Sequence, residues 1–127
     1  MRRTIRRRGV MISVAAALSA GGLMLGTAAS ASASALIPLT TANGAALFNG
    51  TTVASGTVGV PDLWPGDTIL ATCWSRGDNL GGGNVWYRTV DERYAHLNGL
   101  ELTATGWTYG AYVDTNTAFH NGSVPQC

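Results

Sequence analysis

Thr68-Ile69-Leu70-Ala71-Thr72-Cys73-Trp74-Ser75-Arg76 is the stretch whose reading decides the fold. Ile69, Ala71 and Cys73 alternate with Leu70, Thr72 and Trp74, so an extended chain carries apolar weight on both faces. Such a strand is expected at the centre of a small barrel. Just before it, Trp64-Pro65-Gly66-Asp67 places proline and glycine for a type II turn. Proline presets φ at the first central position, and glycine takes the positive φ at the second.

Outward from this strand, short β-favouring runs alternate with Gly, Asn, Asp and Pro clusters, and no stretch keeps an apolar 3.6-residue period over helical length. Thr51 to Ser55 and Thr57 to Val60 read as short strands around Gly56. Gly77 to Asn84 holds four glycines and reads as an exposed, flexible loop. Val85 to Val90 is the next strand. Arg93 to Leu97 and Leu100 to Ala104 flank Asn98-Gly99, a strong hairpin signal. Trp107 to Val113 closes the series, and Asp114 to Cys127 reads as a polar tail. The expected class is all-β.

The first 35 residues have the order of a secretion signal. Arg2, Arg3, Arg6, Arg7 and Arg8 form a basic head, an uncharged run spans Gly9 to Thr27, and small residues alternate from Ala28 to Ala35. Three Ala-Ser-Ala sites, beginning at Ala29, Ala31 and Ala33, leave the cut open, with Leu36 the most natural start. An uncleaved anchor is the alternative, and Arg2-Arg3 and Arg7-Arg8 leave the twin-arginine route open. The domain plan is a signal over residues 1–35, a mobile lead-in over 36–46, interrupted by Pro38, and a folded domain over 47–127.

Past the signal, three arginines (Arg76, Arg88, Arg93) face seven acids, a net charge of −4, and the chain has no lysine. This argues against nucleic acid, which needs a basic footprint, and against an anionic membrane surface once the signal is cut. The remaining chain, about 90 residues, can build only a modest core. Cys73 and Cys127 are the only cysteines, and an even count in an exported chain reads as one disulfide. In the chain-entropy picture, closing a loop of about 55 residues is worth about 4 kcal/mol.

No constellation points to catalysis. A disulfide removes the Cys73 thiolate that His96 or His120 would have to activate. The serines lack a Gly-x-Ser-x-Gly context. Asp91 and Glu92 are adjacent, which suits solvated turn residues better than an acid/base pair. The two histidines lack metal-ligand spacing, and Asp114-Thr115-Asn116-Thr117 runs into Ala118 and Phe119 where a calcium loop needs an oxygen ligand and a glycine. No cofactor or metal is expected. Arg76-Gly77-Asp78 matches the integrin-binding tripeptide, a length close to chance. Asn49-Gly50-Thr51 and Asn121-Gly122-Ser123 mark exposed turns.

Trp86-Tyr87-Arg88 and Gly106-Trp107-Thr108-Tyr109-Gly110-Ala111-Tyr112-Val113 resemble two strands of the bacterial SH3-like family, one opening with Trp-Tyr and the closing Gly-Trp strand. Gly56-Thr57-Val58 and Pro65-Gly66-Asp67-Thr68 before Cys73 are similar to that family's run into its middle strands. The likeness covers about residues 47–127 and extends to small secreted SH3-like proteins of actinobacteria. Where the family's first strand carries Asn-x-Arg-Ser-Gly-Pro, this chain has Leu47-Phe48-Asn49-Gly50, and Asp91 to Thr105 is longer than the family's turn.

The resemblance implies a small SH3-like β-barrel that binds extended peptides through aromatic side chains. The candidates are Trp64, Trp74, Trp86, Tyr87, Tyr94, Trp107, Tyr109 and Tyr112. Strand alternation puts Trp107 and Tyr109 with Ala111 and Val113 on one face, the core side, and makes Trp86 and Tyr112 the better surface positions. The expected contact set is Trp86, Tyr87, Tyr109 and Tyr112. The expected function is a secreted, non-catalytic, monomeric module acting at the cell wall on peptidoglycan peptides. The alternative is a secreted module that meets a secreted or surface protein through the loop 77–84.

Overall fold

The computed structural model describes residues 34–127, so the signal reading of residues 1–35 lies almost wholly outside the described residues. Strands β1 (Ala35–Pro38), β2 (Leu47–Phe48), β3 (Thr68–Arg76), β4 (Val85–Tyr94), β5 (Leu100–Leu102) and β6 (Gly106–Tyr109) are followed by helices α1 (Gly110–Asp114) and α2 (Thr117–His120). They build a six-stranded antiparallel sheet in the order β1-β3-β4-β6-β2, with β5 also on β4. Pieces of 3₁₀ helix cover Val53–Ser55 and Ala95–Leu97.

β3 begins where the Trp64–Asp67 turn ends. Gly66 has φ 96°, and the Asp67 N–H donates to the Trp64 carbonyl at 2.9 Å, as a type II turn requires. β3 and β4 pair along their length, but not in one phase. Val90 is unmatched between the pairs Leu70–Asp91 and Ala71–Thr89, and Thr72 between Ala71–Thr89 and Cys73–Arg88. Each extra residue shifts the alternation by one. Ile69 and Ala71 therefore share the core with Trp74, and Val85 and Tyr87 share it with Tyr94.

The sheet does not close into the expected barrel. β1 and β2 end the strand path without pairing to each other. The expected strand Trp107 to Val113 stops at Tyr109 because the chain turns into α1 at Gly110. A Cβ on Gly110 would lie 2.6 Å from Asn116 Oδ1 and 3.2 Å from the Val85 carbonyl, so only glycine lets the helix start so close to β4. Val113 of α1, Ala118 of α2 and Val124 then cap the core of Ile37, Leu39, Leu63, Ile69 and Tyr87. The expected polar tail thus supplies core.

Residues 36–46, expected as a mobile lead-in, belong to the fold. β1 pairs with β3, Ile37 and Leu39 are buried, and the Leu39 and Thr40 amides donate to the carbonyls of Asp67 and Val113, both at 2.8 Å. The two short strands expected around Gly56 are instead a 3₁₀ turn and a single bridge between Thr57 and Phe48. Asn98 and Gly99 both have positive φ, and the hairpin joins β4 to β5 across a longer loop that includes residues 95–97.

Cys73 and Cys127 form the disulfide, and Trp74 exchanges backbone hydrogen bonds of 2.9 Å with Pro125 and Cys127. This pairing is parallel to β3 and adds to the edge that β1 covers only as far as Ala71. The bridge is compatible with an extracellular location. Among the described residues no helix is long and apolar enough to cross a membrane.

Candidate ligand groove

A column of aromatic rings runs from the sheet to the surface. Phe48 meets Trp86 edge-on at 5.5 Å, Trp86 meets Tyr109 at 5.1 Å, and Tyr109 meets Tyr112 edge-on at 4.8 Å. These separations suit attraction between ring quadrupoles. The column ends in a groove of about 170 Å³, walled by Phe48, Tyr109, Tyr112, Trp64 and Leu80 and floored by residues 43–46. The groove opens past Asn43, Leu80 and Tyr112 into a wider depression bordered by Thr40, Gly81, Gly82 and Ala111.

The expected contact set is mostly buried. Trp86 is 0 % exposed, with its Nε1–H donating to the Asp78 carbonyl at 3.0 Å. Tyr87 is equally buried. Its hydroxyl donates to Asp114 Oδ1 at 2.9 Å and accepts the Phe119 N–H at 3.1 Å, and burial together with the nearby Asp114 charge pushes its pKa up. Both are corrected from surface contact to core, because the alternation that placed Trp86 outside took no account of its cover by Phe48 and the 77–84 loop. Tyr109 is also buried in the main and reaches the groove only as part of its wall. Tyr112 is half-buried and lines both depressions.

The 77–84 loop is pinned rather than free. The Tyr109 hydroxyl accepts the N–H groups of Leu80 at 3.0 Å and Gly82 at 2.9 Å and donates to the Gly83 carbonyl at 2.6 Å. Asn116 Nδ2 donates to the Gly82 carbonyl at 2.9 Å, so the link between α1 and α2 shares in holding the loop against the groove.

Trp64, outside the expected set, is the most exposed groove aromatic at 43 %. Its place in a Pro-Gly turn was the available signal, since a turn presents its side chains to solvent. Two devices position it. Gly44, at φ 74°, lets the indole lie against the backbone, where a Cβ would come within 2.7 Å of the ring. Behind the turn, the buried Asp67 carboxylate accepts the Trp64 N–H at 2.8 Å, the His96 N–H at 3.1 Å and His96 Nδ1 at 2.5 Å. Burial alone would raise the Asp67 pKa, but these donors outweigh it and hold it below the usual value.

Glu92, expected in a solvated turn, is 0 % exposed. Tyr94 donates its hydroxyl to Oε1, and Oε2 has no partner. Burial pushes Glu92 up to about 7 against the pull of the Tyr94 donor, with Asp62, Asp67 and Asp91 adding to the rise. Burial and then Glu92 raise Tyr94 in turn.

Another depression, of about 240 Å³, lies between β1 and α2. It has no aromatic wall, and its one charged residue, Asp114, is engaged by Tyr87, Thr117 and Ala118. Among the described residues no three His, Cys, Asp or Glu groups gather as a metal site. The aromatic groove can bury apolar surface and offers few polar atoms, chiefly the Asn43 amide and the Asp62 carboxylate, to orient what it holds. Comparison with models of protein families, with curated proteins and with solved structures finds no match.

Proposed function

We propose that the chain is a secreted, non-catalytic binding module that seats an extended peptide in the groove between Trp64 and Tyr112 and acts at the cell wall on peptidoglycan peptides. The observation that carries this reading is the groove itself, with rigid aromatic walls and a pinned loop as one side. Aromatic walls offer large contact area at small entropy cost, and a pre-ordered loop reduces the ordering cost of binding. The signal-like residues 1–35 and the disulfide support export. The SH3-like resemblance of Trp86-Tyr87-Arg88 and of residues 106–113 supports the link to wall peptides, carried on an open sheet.

The test is co-sedimentation of the disulfide-bonded protein with purified, protein-free sacculi at two salt concentrations. Pelleting that survives the higher salt is the expected result. A protein that stays in the supernatant at both overturns the wall reading. One observation favours a second reading, a secreted protein partner: Leu80, Gly81 and Gly82 of the 77–84 loop border the same groove. A single dominant partner captured from culture medium, lost when that loop is shortened, would establish it.

A further inference from the structure

The positive charges of the described residues all lie elsewhere. Arg76 stacks over Trp74 at 5.1 Å and donates to Asn84 Oδ1, Arg88 lies over Trp107 at 5.4 Å, and Arg93 pairs with Glu101 at 3.5 Å. None of them lines the groove, whose one charged lining residue is Asp62. Asp62 stands two residues before Trp64 in the turn that Asp67 fixes, and the Trp64 indole is partly exposed. A carboxylate beside an exposed indole, in an apolar groove without a cation, complements a compact positive charge carried on an apolar stem.

We propose that the groove selects peptides bearing a primary ammonium group, the side chain of a diamino acid, with the ammonium held between the Asp62 carboxylate and the Trp64 ring and the aliphatic stem along Phe48 and Tyr112. This deepens the proposed function and rests on its reading of the groove. A quaternary ammonium meets the same indole, but the carboxylate favours a cation with N–H donors.

The experiment titrates the full chain, disulfide intact, with two blocked pentapeptides that differ only in a central lysine or Nε-acetyl-lysine, read by tryptophan fluorescence. The lysine peptide is expected to bind about tenfold tighter at low salt, the combined worth of a partly desolvated cation–π contact and one exposed ion pair. Added salt narrows the gap. Asp62→Asn shrinks the preference to the cation–π share, about threefold, and near-UV circular dichroism of that variant reports the fold. Equal affinity for the two peptides, or a preference undiminished in Asp62→Asn, overturns the ammonium site and leaves the groove standing. If neither peptide binds, the ammonium site falls, and sedimentation with sacculi then decides whether the wall reading falls with it.

Discussion

Replacing Glu92 with glutamine removes one buried ionisable group while keeping an acceptor for the Tyr94 hydroxyl. Burial raises Glu92 to about 7 from its usual 4.5, so between those values the folded protein holds a proton that the unfolded chain has released. Stability therefore falls as pH rises through that window, the reverse of a salt-bridged carboxylate. The full rise corresponds to about 3 kcal/mol, most of it lost between about pH 5 and about pH 8. Asp67 acts with the opposite sign, but its lowered pKa puts its contribution at the acid end, below this window. Urea unfolding followed by tryptophan fluorescence at the two pH values should show the loss in the parent protein and a nearly flat profile in Glu92→Gln. A parent protein as stable at the higher pH as at the lower, or a variant with the parent's slope, would refute the argument that the buried carboxyl governs this range.

Trp86→Ala should cost about 3–5 kcal/mol of stability, because it empties the centre of the aromatic column, whereas Tyr112→Ala should keep the thermal midpoint within a few degrees and lose binding to sacculi. Gly44→Ala forces a Cβ into the Trp64 ring at 2.7 Å and should weaken groove binding several-fold while the near-UV dichroism of the core persists. Reducing the Cys73–Cys127 bond should lower unfolding free energy by about 2–4 kcal/mol, read as a shift of the denaturant midpoint with and without reductant. Tyr109→Phe takes away the hydroxyl that ties down the loop and should speed amide exchange at Leu80 and Gly82 by about tenfold, the worth of one net hydrogen bond.

β3 was legible to its last residue because its limits are local: a Pro-Gly turn starts it and a glycine-rich segment ends it. The all-β class and the disulfide were legible for the same reason, resting on short alternating runs and on a count of two cysteines. What escaped was tertiary. Nothing in Trp107 to Val113 announces that the strand must stop at Gly110; the stop is imposed by the Asn116 side chain and the Val85 carbonyl pressing on that glycine. The compensating bulges at Val90 and Thr72 are invisible to a period-2 reading, yet they bring Tyr94 into the core. Glu92 reads as solvated from its place beside Asp91, and only the packing of β4 overrides that reading. Three of the four expected contact aromatics, Trp86, Tyr87 and Tyr109, are buried, and of these Tyr109 walls the groove. Trp64 escaped because the expected set was drawn from strand residues and passed over the turn.

The bond between Cys73 and Cys127 also routes mechanical load. Tension applied between Ala35 and Cys127 passes from residue 73 straight through the sulfur bridge, so β4, β5, β6 and both helices hang as a side loop outside the force path. What resists the pull is the short ladder of β1 on β3 with the contacts of the chain ahead of Cys73, and most of the groove lining, from Asn43 to Phe48 with Asp62 and Trp64, lies in that loaded stretch. With the bridge intact, a stretched molecule can release only the chain ahead of Cys73. Reducing the bridge puts the 54-residue separation into the load line and adds about 180 Å of contour length, a step that single-molecule extension would read directly.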